Sequence, residues 1–108
     1  MADIGERGRH HDRKHELDQE AAFRLRNRRN RLLGSWIATE YLGLAGDAVT
    51  EYAKAVVMAD FEKPGDDDVL DKIRADVAAA GRSISDAELS TKLGEFIARA
   101  KAELQAEA

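Results

Sequence analysis

The sequence has no cysteine, one proline and one tryptophan, and aromatic residues make up only 6% of its 108 positions. Without cysteine there is neither a disulfide framework nor a thiol nucleophile, which suits a reducing compartment. β-Branched and aromatic residues are few and never alternate with polar ones for long, so no sheet is expected. No run of about 18 apolar residues occurs, and charge stands at the N-terminus where a signal peptide needs an apolar stretch. The expectation is a soluble cytoplasmic protein without direct membrane insertion. Local signatures of catalysis are also missing. There is no nucleophile elbow, phosphate-binding glycine loop or ligand cluster, and Gly5 and Gly8 stand alone. An enzyme is not expected, and no cofactor is required.

What the chain does have is an uneven distribution of charge. The first 31 residues hold nine Lys/Arg against six Asp/Glu, and the other 77 hold eight against fifteen, giving +3 and −7 within a total of −4. After Met1, residues 1–20 offer only Ala2, Ile4 and Leu17 as apolar side chains, too few to offset the entropy of ordering the backbone. Residues 1–16 are therefore expected to form a flexible charged arm, and residues 17–108 a folded domain.

The rest of the chain shows helical periodicity. Leu25, Leu32 and Trp36, with Leu33, Ile37, Tyr41 and Leu44, recur at three-four spacing and predict a long first helix near 16–43 that Gly43 can end. Asp47 can cap a second helix near 48–62, with Ala48, Val49, Tyr52, Ala53, Val56 and Val57 as an apolar face continuing to Phe61 and Pro64-Gly65 as its stop. Asp66-Asp67-Asp68 favours a third helix start, with Val69, Leu70, Ile73 and Val77 buried over 67–80 and Gly81 beyond. Ser85-Asp86-Ala87-Glu88 matches a capping box, with Ile84 set to staple against Leu89, and opens a fourth helix near 86–106 carrying Leu93, Phe96, Ile97, Ala100 and Leu104. Short connections make consecutive helices antiparallel neighbours. The expected fold is an all-α, monomeric four-helix bundle with a flexible N-terminal arm.

Residue chemistry narrows the function less than the fold. His11 and His15 would share a helix face beside His10, but no third ligand has suitable spacing, so solvated histidines are preferred over a metal site, with pH sensing also open. Asp66-Asp67-Asp68 lacks the spacing of a calcium loop. Trp36 is in phase with the core, and Gly34 inside a helix points to close approach of a neighbour. Arg24, Arg26, Arg28, Arg29 and Arg31 surround the first helix. An acidic protein is a poor binder of phosphate backbones, so a nucleic-acid module ranks below recognition of a protein or a phosphate-bearing small ligand.

The string Arg28-Arg29-Asn30-Arg31-Leu32-Leu33-Gly34-Ser35-Trp36-Ile37-Ala38, with Tyr52-Ala53-Lys54-Ala55-Val56-Val57-Met58-Ala59-Asp60-Phe61-Glu62-Lys63-Pro64-Gly65 and Asp68-Val69-Leu70, resembles the zeta subunit family. These are inhibitory subunits of alphaproteobacterial F-type ATP synthases. The resemblance implies a four-helix bundle whose N-terminal region enters the catalytic head and blocks hydrolytic rotation, and a regulatory adenine-nucleotide (ADP/ATP) site on the folded domain. It also implies a protein peripheral at the inner membrane through ATP synthase. In the arm, Ile4, Glu6, Arg7, Arg9, His10, His11, Asp12, Arg13 and Lys14 are the expected partner contacts, able to order as a helix in a polar cleft. Arg28, Arg29 and Asn30 are the expected phosphate or base donors, with Trp36 nearby. The alternative is a generic helical adaptor that uses the same arm on another complex.

Overall fold

The structure is a computed structural model that describes the backbone of residues 2–62 and 66–107 and the side chains of 19–61 and 66–107. Four helices follow one another: α1 (Ala2–Glu40), α2 (Asp47–Glu62), α3 (Asp67–Ala79) and α4 (Asp86–Glu107). Among the described residues there is no strand. The expected all-α bundle is observed.

The first helix begins at Ala2, well ahead of residue 16, where the apolar pattern starts. The helical backbone thus extends over the charged arm. Residues 2–24 include Ala, Glu and Arg, and in the sequence charges of opposite sign recur four apart at Asp3 and Arg7, Lys14 and Asp18, and Glu20 and Arg24. The last pair closes at 2.8 Å. With 39 residues, α1 is about 58 Å long and sets the long axis of a molecule measuring 65 × 27 × 24 Å.

Local chemistry explains the other boundaries. The Tyr41 and Leu42 amides both donate to the Ile37 carbonyl, at 2.9 and 3.1 Å, ending α1 two to three residues before Gly43. Gly43 turns the chain with φ 66, and the Leu44 amide reaches back to the Ala38 carbonyl at 2.9 Å. After α3, Gly81 takes φ 76. The Arg82 amide then bonds Val77 O at 3.0 Å and the Gly81 amide bonds Ala78 O at 2.9 Å, a Schellman closure. At α4 the Ser85 hydroxyl accepts the Glu88 amide at 3.0 Å, half of the expected capping box. Glu88's carboxylate instead accepts the Tyr41 hydroxyl, which raises that phenol's pKa and ties the start of α4 to the end of α1. Asp66 also departs from expectation. It holds the N-cap position of α3 but makes no side-chain cap bond, and Asp67 and Asp68 supply the first-turn acids.

The core is one cluster: Leu33 and Ile37 from α1, Val56 from α2, Val69, Ile73 and Val77 from α3, and Leu89 and Phe96 from α4. Leu33 and Ile37 are fully buried, each contributing about 1.5–3 kcal/mol of transfer free energy. The helix α1 packs against both α2 and α4, with α3 against α2, so α1 is the spine. Gly34 explains the close α1/α2 crossing, since a Cβ there would lie 2.9 Å from the Cα of Ala53. Trp36 stands at the core's edge, its ring 6.3 Å from Phe96 and 5.5 Å from Tyr41, with Lys92 over its face. The α2 face is shorter than its pattern, because Ala48 and Phe61 at its two ends are exposed.

Candidate functional site

The arginine-rich turns of α1 separate into two directions. Arg29 and Asn30 are buried, at 6% and 0% exposure, and face the junction of α2 and α3. Arg29 forms an ion pair with Asp66 at 2.8 Å and, through Nε and Nη2, donates to Asn30 Oδ1 at 3.1 and 2.8 Å. These two donors fix which way the Asn30 amide points. Among the described residues its buried Nδ2 has no hydrogen-bond partner, an arrangement that costs about 1–3 kcal/mol where no partner is supplied. Arg26, one turn earlier, forks onto Asp60. Its Nε bonds one carboxylate oxygen and its Nη2 the other at 2.8 Å, and it reaches Asp66 at 3.5 Å. The hydrogen bond to Asp60 raises the Arg26 pKa above its ordinary value. Two arginines and two aspartates thus latch the α2–α3 junction onto α1.

Asp60 and Asp66 were not anticipated as partners, yet one carried a sequence signal. Asp60 lies in the last turn of α2, where a carboxylate opposes the helix dipole and no basic residue accompanies it. A charge so placed needs a cation from elsewhere, and Arg26 supplies it.

Arg28 points the other way, toward α4. It contacts Glu103 at 3.3 Å and forks onto Glu107 at 2.6 and 3.0 Å, and the bond to Glu107 is the main reason its pKa is raised. Here α1 and α4 border a groove of about 300 Å³ lined by Arg24, Asn27, Arg28, Arg31, Leu104 and Glu107. Trp36 lies outside this lining, roughly 12 Å further along the axis, with its ring against Phe96 and Lys92 of α4. A second groove of about 310 Å³ runs between α1 and α2, lined by Arg31, Ser35, Thr50, Ala53 and Lys54. Of the four residues expected to bind nucleotide, Arg28 borders an open groove, Trp36 packs at the core's edge against Phe96 outside that groove, and Arg29 and Asn30 are engaged in the opposite junction. Arg24, Asn27 and Arg31 join Arg28 because residues three and four apart share a helix face.

The side chains of Ile4, Glu6, Arg7, Arg9, His10, His11, Asp12, Arg13, Lys14 and His15 lie outside the described residues, and with them the expected arm contacts. Among the described residues, no group of three His, Asp or Glu side chains is placed to hold a metal ion, and no helix is long and apolar enough to cross a membrane.

The described chain is a small all-helical bundle built on one long helix, with an arginine-lined groove beside α4. The chain belongs to the ATPase inhibitor subunit zeta family, whose match covers residues 1–103. No curated protein and no solved structure gives a match.

Proposed function

We propose that this protein inhibits ATP hydrolysis by an F-type ATP synthase, with residues 1–16 as the blocking element and residues 17–108 as its carrier. The observation that carries the proposal is family membership over residues 1–103. A helix that starts at Ala2 and joins the bundle without interruption supports it physically, because such a helix can reach into a cleft while the bundle stays outside. The first turns have almost nothing apolar to bury, so in the free protein they fray, since short unsupported helices are marginal in water. They order on entering the catalytic head, where arginine, lysine and carboxylate side chains of alternating sign pair with polar groups of the cleft. Once seated between moving subunits, the arm obstructs rotation sterically. The protein acts as a monomer, peripheral at the cytoplasmic side of the inner membrane through ATP synthase.

We also propose ADP or ATP as a regulatory ligand of the bundle. Support comes from the groove between α1 and α4, where Arg24, Arg28 and Arg31 offer phosphate donors beside Asn27 and the apolar Leu104. Its volume of about 300 Å³ is at the lower limit for small-molecule sites. Arg29 and Asn30 act there by holding α1 in place from the other side, and Trp36, about 12 Å further along α1 beside α4, offers its ring for base contact.

Removal of residues 1–16 tests the inhibitory proposal. The truncated protein should keep its stability within about 1 kcal/mol, because the deleted sequence carries few apolar residues, and should lose inhibition of the cognate enzyme. Equal inhibition by the truncated and full-length proteins would rule out the arm as the blocking element.

A further inference from the structure

We infer that Phe23, Met58 and Phe61 form a second docking point, which takes an apolar surface of the ATP synthase catalytic head beside the mouth of the cleft that receives the arm. The inference rests on the inhibitory function proposed above. Among the described residues these are the large hydrophobic side chains left exposed, at 50%, 60% and 51% respectively. They are grouped, not scattered. The Phe23 and Phe61 rings stand 5.3 Å apart and tilted, joining α1 to α2, and Met58 lies one turn before Phe61 on the same side of α2. Isolated exposed apolar residues need no explanation, whereas a contiguous group of aromatic and methionine side chains has the composition of an interface core. Methionine adds an adaptable surface.

Position selects the occupant. The patch lies where α1 leaves the bundle, and residues 19–22 leading away from it are exposed. Because α1 is continuous from Ala2 through Phe23, a seated arm brings the patch to the cleft's rim. Of the described charges nearby, Arg24 pairs with Glu20 at 2.8 Å and Arg26 with Asp60, so neither pair is broken by docking. Size argues against a second copy of the chain. Three half-exposed side chains of this kind offer roughly 300 Å², well below the about 800 Å² per partner of a stable interface. As an addition to a bound arm the same area is sufficient, since the arm supplies the effective concentration.

The test uses full-length protein carrying Met58→Ser and Phe61→Ser together, Met58→Ser alone, and Ala102→Ser on the outer face of α4 as a control. Thermal unfolding is measured first, and Met58→Ser alone serves if the double variant is destabilised. Affinity for the purified cognate catalytic head is measured by direct binding, separately from inhibition of ATP hydrolysis. The double variant should bind about tenfold more weakly, Met58→Ser should show a smaller loss, and Ala102→Ser should show none. Inhibition at saturating protein should be unchanged. Wild-type affinity in folded patch variants overturns the inference, as does concentration-dependent self-association of the wild type that these substitutions abolish. If truncation of residues 1–16 abolishes inhibition while the patch variants bind normally, the arm proposal stands and the patch falls. If binding depends on the patch but the wild type does not inhibit, the patch stands and the arm proposal falls.

Discussion

Gly34 and Ala53 bring two helix backbones so close that a Cβ on residue 34 would stand 2.9 Å from the Cα of Ala53 and 3.1 Å from a methyl carbon of Val56. Replacing Gly34 with Ala therefore sets two effects of opposite sign against each other. Helix propensity gains about 1 kcal/mol, and overpacking against backbone costs about 1–3 kcal/mol. Gly34→Ala should be net destabilising in urea denaturation. At Gly94 in α4 an added methyl would meet nothing within 4 Å, so Gly94→Ala should stabilise by about 0.5–1 kcal/mol. Gains of equal size at both positions would show that the α1/α2 crossing is looser than described.

Asp66 is the carboxylate that Arg29 reaches from its buried position. Asp66→Asn keeps the shape and removes the charge, leaving the guanidinium with Asn30 as its neutral partner. Breaking a fully buried pair costs about 3–5 kcal/mol, and Asp66 is 45% exposed, so a loss of about 1–3 kcal/mol is expected. Because Asp66 makes no cap bond, the loss should appear without fraying at the start of α3. Amide exchange at Val69 and Leu70 distinguishes the two cases.

Tyr52 donates its hydroxyl to Asp76 at 2.8 Å. Burial first, then this hydrogen bond and the carboxylate's charge, push the phenol's pKa well above the ordinary value. The unfolded chain ionises near pH 10, so the stabilisation is complete below that pH and is lost as pH rises through the folded-state value. Urea midpoints of the wild type should fall above about pH 10 more steeply than those of Tyr52→Phe. Tyr41 is shifted in the same direction by Glu88, so less phenolate absorbance should develop in the folded bundle than in the unfolded chain at the same alkaline pH.

ADP at millimolar concentration should shift backbone amides around Arg24, Asn27, Arg28, Arg31 and Leu104 in two-dimensional NMR spectra. Arg28→Ala should abolish these shifts and cost little stability, since its ion pairs with Glu103 and Glu107 are largely solvent-screened. An unchanged wild-type spectrum would exclude the nucleotide proposal.

Helix number and most helix ends were legible in the sequence because they depend on neighbours a few residues apart. Gly43 and Gly81 supply positive φ, Ser85 caps, and Leu33 and Ile37 mark a stripe that the core then buries. The N-terminal start of α1 at Ala2 was not legible from the apolar pattern, which begins only near Leu25. The partners of the arginines were hidden for another reason. Arg26 meets Asp60 across 34 positions and Arg28 meets Glu107 across 79, and no local spacing encodes such pairings. Composition predicted a basic helix, and only the fold shows that Arg29 and Asn30 turn inward while Arg28 borders a groove.

The uninterrupted course of α1 has a geometric consequence. No glycine or proline separates Gly8 from Gly34, so while the arm is helical its azimuth is set by the count of residues between it and the bundle. Adding one residue at Ala21 would rotate everything before it by about 100° and advance it by about 1.5 Å. Under the inhibitory proposal the protein is in this respect keyed like a bolt: length alone does not specify how the arm enters, and an insertion that conserves every side chain presents a different face to whatever receives it.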